Sequence, residues 1–129
     1  MRIKVLLVDD SWHFLKAAER FLSGIATVGS IVTAQNGADA VRAVTLERPH
    51  VVLIDLNMPG MNGLEAVRQI RVLDASVRII VVSLHDEPEF RSAALQAGAD
   101  GYIAKDNFAA DLPVAFAVYE VAPCSYSAT

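Results

Sequence analysis

Two short runs, 51–54 and 79–82, are apolar at every position, and Ile3–Val8 is apolar at every position but Lys4. Runs this short, bounded by acids or turn residues, read as strands buried on both faces, the kind that parallel sheets contain. The run at 51–54 leads straight into Asp55 and then Leu56-Asn57-Met58-Pro59-Gly60, an acid followed by turn residues. The run at 79–82, opened by Arg78, ends at Ser83, and Ile3–Val8 ends at Asp9-Asp10.

Between these runs the apolar residues recur at helical spacing. Phe14, Leu15, Ala18, Phe21 and Leu22 make one face of a helix that Ser11 caps and Gly24 stops. Ala38, Val41 and Val44 space a second helix between Asn36-Gly37 and Arg48-Pro49, and Leu64, Val67, Ile70 and Leu73 a third after the loop at 60–63. A fourth opens at Glu87-Pro88-Glu89, where proline suits the first turn and acids oppose the helix dipole, and closes at Gly98.

Two weaker strands complete the series. Positions 27–34 carry Val28, Ile31 and Val32 and read as an edge strand broken by Gly29; Tyr102-Ile103-Ala104 is a short fifth strand ending at Lys105. A fifth helix is expected from about Asp111, which puts Pro113 in its first turn, the position a proline tolerates. The alternation of five strands and five helices predicts an α/β domain over 1–121, a parallel sheet with helices on both faces, and a tail over 122–129.

Composition narrows the class. A chain of 129 residues with 53% hydrophobic content can bury a core without disulfides or metal staples. The net charge of −4, with no run of Lys and Arg, argues against a surface that neutralises nucleic-acid phosphates. Cys124 has no partner, which fits a reducing compartment. No segment reaches the length of a membrane span, and the apolar run after Arg2 and Lys4 is too short for a signal peptide. A cytoplasmic protein without direct nucleic-acid or membrane binding is expected.

The chemistry is at the strand ends. Asp9, Asp10, Asp55, Ser83 and Lys105 all follow strands at the carboxyl edge, where open α/β sheets place their sites. Carboxylates within ~6 Å of one another repel by roughly 3 kcal/mol per pair at an effective dielectric of ~20. Such a cluster holds protons or recruits a cation, and oxygen-only ligands favour a hard ion such as Mg²⁺. A metal, a lysine and a hydroxyl around one further carboxylate make a place for a phosphoryl group, which that carboxylate can accept. His13, His50 and His85 show no metal-site spacing.

In this order and spacing, Asp9-Asp10, Asp55 with Asn57-Met58-Pro59-Gly60 and Gly63, Ser83, Gly98-Ala99-Asp100-Gly101-Tyr102 and Lys105 resemble the receiver domain of two-component response regulators over nearly the whole chain. The resemblance implies a flavodoxin-like (βα)5 fold with strand order 2-1-3-4-5. It implies that Asp55 is the phosphoacceptor, loaded by a histidine kinase, a phosphotransfer protein or a small phosphodonor. Asp9, Asp10, Asp55 and the backbone carbonyl of Asn57 would hold Mg²⁺, or Mn²⁺ in its place. Lys105 would pair with Asp9 and Asp55 when the site is empty. Ser83 and Tyr102 would form the switch, acting on a face made by the fourth helix, fifth strand and fifth helix.

The chain also departs from the common pattern. Leu84 stands where many receivers have a small residue and is expected to narrow access to Asp55. His85, two residues past Ser83, is a candidate for tuning phosphoryl lifetime. Asp106 after Lys105 excludes a cis-proline at that peptide. Leu84-His85 and Lys105-Asp106 resemble the receiver subgroup usually followed by a helix-turn-helix output domain, so the chain reads either as a stand-alone receiver or as a piece of a longer regulator.

Residues 112–121 carry almost no polar face, so the last helix is expected to meet a second copy or a docked partner. Two alternatives stand beside the switch. One is a degenerate receiver kept as an unphosphorylated scaffold. The other is a haloacid dehalogenase-type phosphatase, disfavoured because that nucleophile belongs on the first strand with a second acid two residues on, and position 57 is Asn.

Overall fold

The computed structural model describes residues 2–58 and 62–127, the last eight of these as backbone. Five parallel strands, β1 (Ile3–Val8), β2 (Val28–Ala34), β3 (Val51–Ile54), β4 (Arg78–Ser83) and β5 (Gly101–Ala104), form one sheet in the order β2-β1-β3-β4-β5. The helices are α1 (Trp12–Ser23), α2 (Gly37–Glu47), α3 (Gly63–Leu73), α4 (Pro88–Ala97) and α5 (Phe108–Ser127). The expected fold class and strand order are both present.

The period of two along each strand divides the core into two layers. Leu6, Val8, Val52, Ile54, Ile79 and Val81 pack under α2, α3 and α4, against Ala40, Val44, Val67, Ile70 and Ala94. Val5, Leu7, Val51, Leu53, Ile80 and Val82 pack under α1 and α5, against Leu15, Leu22, Leu112 and Phe116. The three central strands are therefore apolar along most of their length, Lys4, Arg78 and Ser83 excepted, because both their faces are covered.

Local signals set the helix starts. Ser11 accepts from the Phe14 N–H, Asn36 from Asp39 and Asn62 from Glu65, each filling an otherwise unpaired donor. Gly29 does not break β2 as expected. The β1–β2 register steps over it, from Ile3↔Val28 to Lys4↔Ser30, so it forms a bulge on the edge strand.

The fifth helix also differs from expectation. A 3-10 turn at Lys105–Asn107 winds the chain early, and α5 begins at Phe108, three residues before Asp111. Pro113 is thus beyond the first turn. It sits on the exposed side, and Ala109, whose carbonyl loses its helical donor, is exposed as well, so solvent can replace the missing bond. The expected tail boundary at 122 falls within the helix as described to Ser127; positions 128–129, the end of that tail, lie outside the described residues, as do Pro59 and Gly60. No peptide among the described residues is cis.

Register places the strand ends. Val8 pairs with Ile54, so Asp9 and Asp55 follow side by side on adjacent central strands. Ser83 pairs with Ala104, so Lys105 leaves the sheet one step beyond the hydroxyl. The first residue of α3 then closes on the loop behind Asp55: the Gly63 N–H donates to the Leu56 carbonyl at 2.9 Å. A Cβ built on Gly63 would lie 2.3 Å from the Asp55 carbonyl oxygen and 2.5 Å from the Leu56 Cα. Both obstacles are backbone. Gly63→Ala is therefore expected to lower stability by roughly 2–4 kcal/mol in urea unfolding, a large effect for one methyl group.

Candidate functional site

Four of the predicted residues converge at the carboxyl edge. One carboxylate oxygen each from Asp9, Asp10 and Asp55 lies within 4.8 Å of the others. Asp9 and Asp55 are buried, 1% and 6% exposed, while Asp10 is open to solvent. Backbone bonds fix the buried pair: the Asp9 N–H donates to Ala34 at 3.1 Å and the Asp55 N–H to Val8 at 2.9 Å. Lys105 comes in from the β5–α5 turn. Its Nζ lies 2.7 Å from Asp9 Oδ2 and 3.9 Å from Asp55 Oδ2. On another side the same ammonium sits 4.4 Å from the centre of the Phe14 ring.

One cation cannot neutralise three carboxylates, and the site shows the remainder. Asp9 Oδ1 accepts from the Ser11 N–H at 2.8 Å, but Asp9 Oδ2 is buried without a directed hydrogen bond; its contact with Lys105 is an ion pair only. Burial pushes the Asp55 carboxyl up from 3.8 to about 6, helped by the charge of Asp9 and, less, of Asp10. Lys105 and the Asn57 backbone N–H act in the opposite direction without winning. Three carboxylates gathered this closely around a single ammonium form an oxygen-only donor set that fits a hard divalent cation. Octahedral Mg²⁺ sets neighbouring ligand oxygens about 3–4 Å apart, so the cluster would need to close only slightly.

The remaining predicted residues lie at the end of β4, in the β4–α4 loop and on β5. Ser83 is fully buried at the end of β4, and its Oγ accepts from the His85 N–H at 3.1 Å. Leu84 turns to the rim and is 68% exposed. The His85 ring stacks on Phe90 of α4 at 4.6 Å between centroids and has Glu87 3.9 Å away. Tyr102 is half-buried: its hydroxyl donates to the His85 carbonyl, and the Arg91 guanidinium lies 4.8 Å over its ring. Asn57 meets Asp55 through its N–H.

Two contributors were not foreseen in the pattern of residues. Phe14 reads as core because its spacing matches the apolar face of α1, and nothing in that spacing marks the ring beneath Lys105. The other is Arg71. Its guanidinium donates to the carbonyls of Gly98, Val77 and Ala75 and to Asp100 Oδ2, tying the loop after α3 to the loop after α4 at the opposite edge of the sheet. A helix-end arginine has no sequence signal for such a task.

The chain is similar to known proteins of one family. The family profile of the response regulator receiver domain matches residues 5–117. The transcriptional regulatory protein PrrA of Mycobacterium tuberculosis is 37% identical over 110 residues, 84% of this chain and 46% of PrrA. The response regulator UvrY of Escherichia coli is 40% identical over 103 residues, 80% of this chain and 47% of UvrY. The chain thus spans about half the length of these relatives. Among solved structures, the receiver domain of a NarL-type regulator of M. tuberculosis superposes with a TM-score of 0.80 at 31% identity, covering 97% of both chains. A LuxR-family response regulator from Aurantimonas sp. gives a TM-score of 0.86 at 29% identity, covering 92% of this chain and 85% of that one.

The raised Asp55 carboxyl has a consequence for stability. The folded protein holds that proton more tightly than the unfolded chain. The resulting stabilisation is complete below about pH 4 and is lost as pH rises through about 6, a change of about 3 kcal/mol for a two-unit difference. Asp55→Asn removes this loss. Without divalent ions, the variant is expected to be more stable than wild type at pH 7 by up to about 3 kcal/mol, with the two converging near pH 4 in chemical denaturation.

Proposed function

This chain belongs to the response regulator receiver domain family, and from that premise we propose that it is a phosphoacceptor switch whose nucleophile is Asp55. The observation that carries the reading is the buried Asp55 beside a second buried carboxylate, with a lysine ammonium within 4 Å of both. A carboxyl that titrates at about 6 is some nine-tenths ionised at pH 7, yet more basic than a free aspartate. It is therefore charged enough to attack and basic enough to attack well.

The transfer balances simply. An Asp55 carboxylate oxygen forms a bond to the phosphorus of a phosphohistidine on a kinase or phosphotransfer protein, or of a small acyl phosphate. The bond from phosphorus to the donor breaks and the donor leaves with the electron pair, a histidine nitrogen then taking up a proton and an acyl donor leaving as its carboxylate anion. The product is an aspartyl phosphate. Asp9, Asp10, Asp55 and the Asn57 carbonyl are the groups that would hold Mg²⁺, which when bound neutralises phosphoryl oxygens. Lys105, already facing Asp9 and Asp55, supplies a second positive charge to those oxygens. Ser83 has a hydroxyl proton free to donate, since its Oγ accepts from His85.

Output follows from what Ser83 holds. If Ser83 turns to the phosphoryl group, it releases the His85 N–H, and the His85 carbonyl is the acceptor for Tyr102. The β4–α4 loop, α4 and β5 are thereby joined to the site in one chain of bonds, the kind of two-state element that new charge can bias. The event is a binding switch in the cytoplasm, not enzymatic turnover. PrrA is a transcriptional regulatory protein, which supports a DNA-binding output outside this chain, in agreement with the net charge of −4 here.

The α5 surface supports a contact with another chain. Val114 and Val118 are 75% and 51% exposed, and Leu95 on α4 is 54% exposed. Scattered apolar residues are ordinary, but three on neighbouring elements of the output face fit a dimer or a docked partner.

Two measurements check these readings. Intact mass after incubation with Mg²⁺ and an acyl or amido phosphate is expected to rise by one phosphoryl group, and not to rise in Asp55→Ala or with the metal chelated; steady release of phosphate over many turnovers would mark an enzyme instead. Light scattering at high concentration is expected to show a dimer that Val114→Glu dissociates, whereas a wild-type monomer at every concentration removes the self-association reading.

A further inference from the structure

Lys105 is held by more than the acids. Its side chain is only 13% exposed, and its ammonium is bounded by Asp9, Asp55 and the face of Phe14. The Asp9 contact is short but lacks hydrogen-bond direction, and the Asp55 contact is 3.9 Å. A four-carbon stem rising from a 3-10 turn has many rotamers, so something must choose among them. The Phe14 ring supplies that choice: it presents a negative face to the ammonium and keeps water from one side of it.

The ring is itself fixed. Phe14 meets Phe108 edge-on at 5.4 Å between centroids, with the planes 73° apart, and Phe108 also contacts Phe21 at 5.8 Å. Phe108 is the first residue of α5 and follows the turn that carries Lys105. Lysine and ring are thus anchored to the same aromatic cluster, one through the backbone and the other through edge contact.

We infer that Phe14 is a positioning residue for phosphoryl transfer, its ring face holding the Lys105 ammonium between Asp9 and Asp55. This rests on the phosphoacceptor reading of Asp55. A leucine at position 14 keeps an apolar side chain in the same packing but lacks a π face. A tryptophan or tyrosine keeps the face.

The test uses the whole chain and two readouts. The first is the rate of phosphoryl uptake from a small acyl phosphate with Mg²⁺. Phe14→Leu is expected to slow uptake roughly fivefold, the factor that one partly desolvated cation–π contact is worth, while Phe14→Tyr or Phe14→Trp stays near wild type. The second is the rate at which an amine-reactive reagent labels Lys105, read by peptide mass against Lys4 as an internal standard, without any phosphodonor. Phe14→Leu is expected to speed labelling of Lys105 several-fold and leave Lys4 unchanged, with melting temperatures confirming that each variant folds. Equal uptake in wild type and Phe14→Leu, or an equal loss in Phe14→Leu and Phe14→Trp, overturns the inference. A wild-type chain that takes up no phosphoryl group overturns the reading of Asp55, and the labelling arm then decides by itself whether the ring places the lysine.

Discussion

The buried pair of carboxylates just past the ends of β1 and β3 is the constraint that the rest of the structure serves. Asp9 and Asp55 sit side by side because Val8 and Ile54 are in register, and both are removed from water. At the separations within this cluster, each pair of like charges costs roughly 3 kcal/mol at an effective dielectric of ~20. Lys105 relieves part of that cost. The raised Asp55 carboxyl shows that part of it is left. A site under this tension gains from any added positive charge.

The fold makes such a site tolerable. The central strands are apolar on both faces, so the sheet remains rigid while its carboxyl edge carries the charges. Gly63 allows α3 to close within bonding distance of the loop behind Asp55, which any side chain there would prevent. At the other edge, Arg71 and Asp100 fasten the loops that precede β4 and β5. The strands that deliver Ser83 and Lys105 are therefore anchored from below, and movement is left to the β4–α4 loop and the residues bonded to it.

Much of this was legible in the residues alone, for physical reasons. Continuous apolar runs mark strands covered on both faces, and Ser11, Asn36 and Gly24 are capping residues whose chemistry is local. The acids, the hydroxyl and the lysine were legible because they occupy equivalent positions after successive strands, and parallel register brings equivalent positions together. The illegible parts are those that depend on the third dimension. Gly29 looks like an interruption, but a bulge absorbs it on an edge strand. Pro113 suggests a late start for α5, yet the 3-10 turn before Phe108 starts it early and leaves the proline on the solvent side. Arg71 is one arginine among several until the loops fold around it.

Phe14 shows why the boundary between core and site cannot be drawn by spacing. Its period places it on the buried face of α1, and it does pack there, against Phe108. The same ring turns its face to an ammonium 4.4 Å away. An aromatic side chain has an apolar edge and a polarised face, so it can serve packing and electrostatics at once, which an aliphatic residue of equal volume cannot. The lysine of this site therefore depends on the core for its position. The contacts that run from that lysine through Phe14 to Phe108 at the start of α5 are separate from the bonds that run through Ser83, His85 and Tyr102.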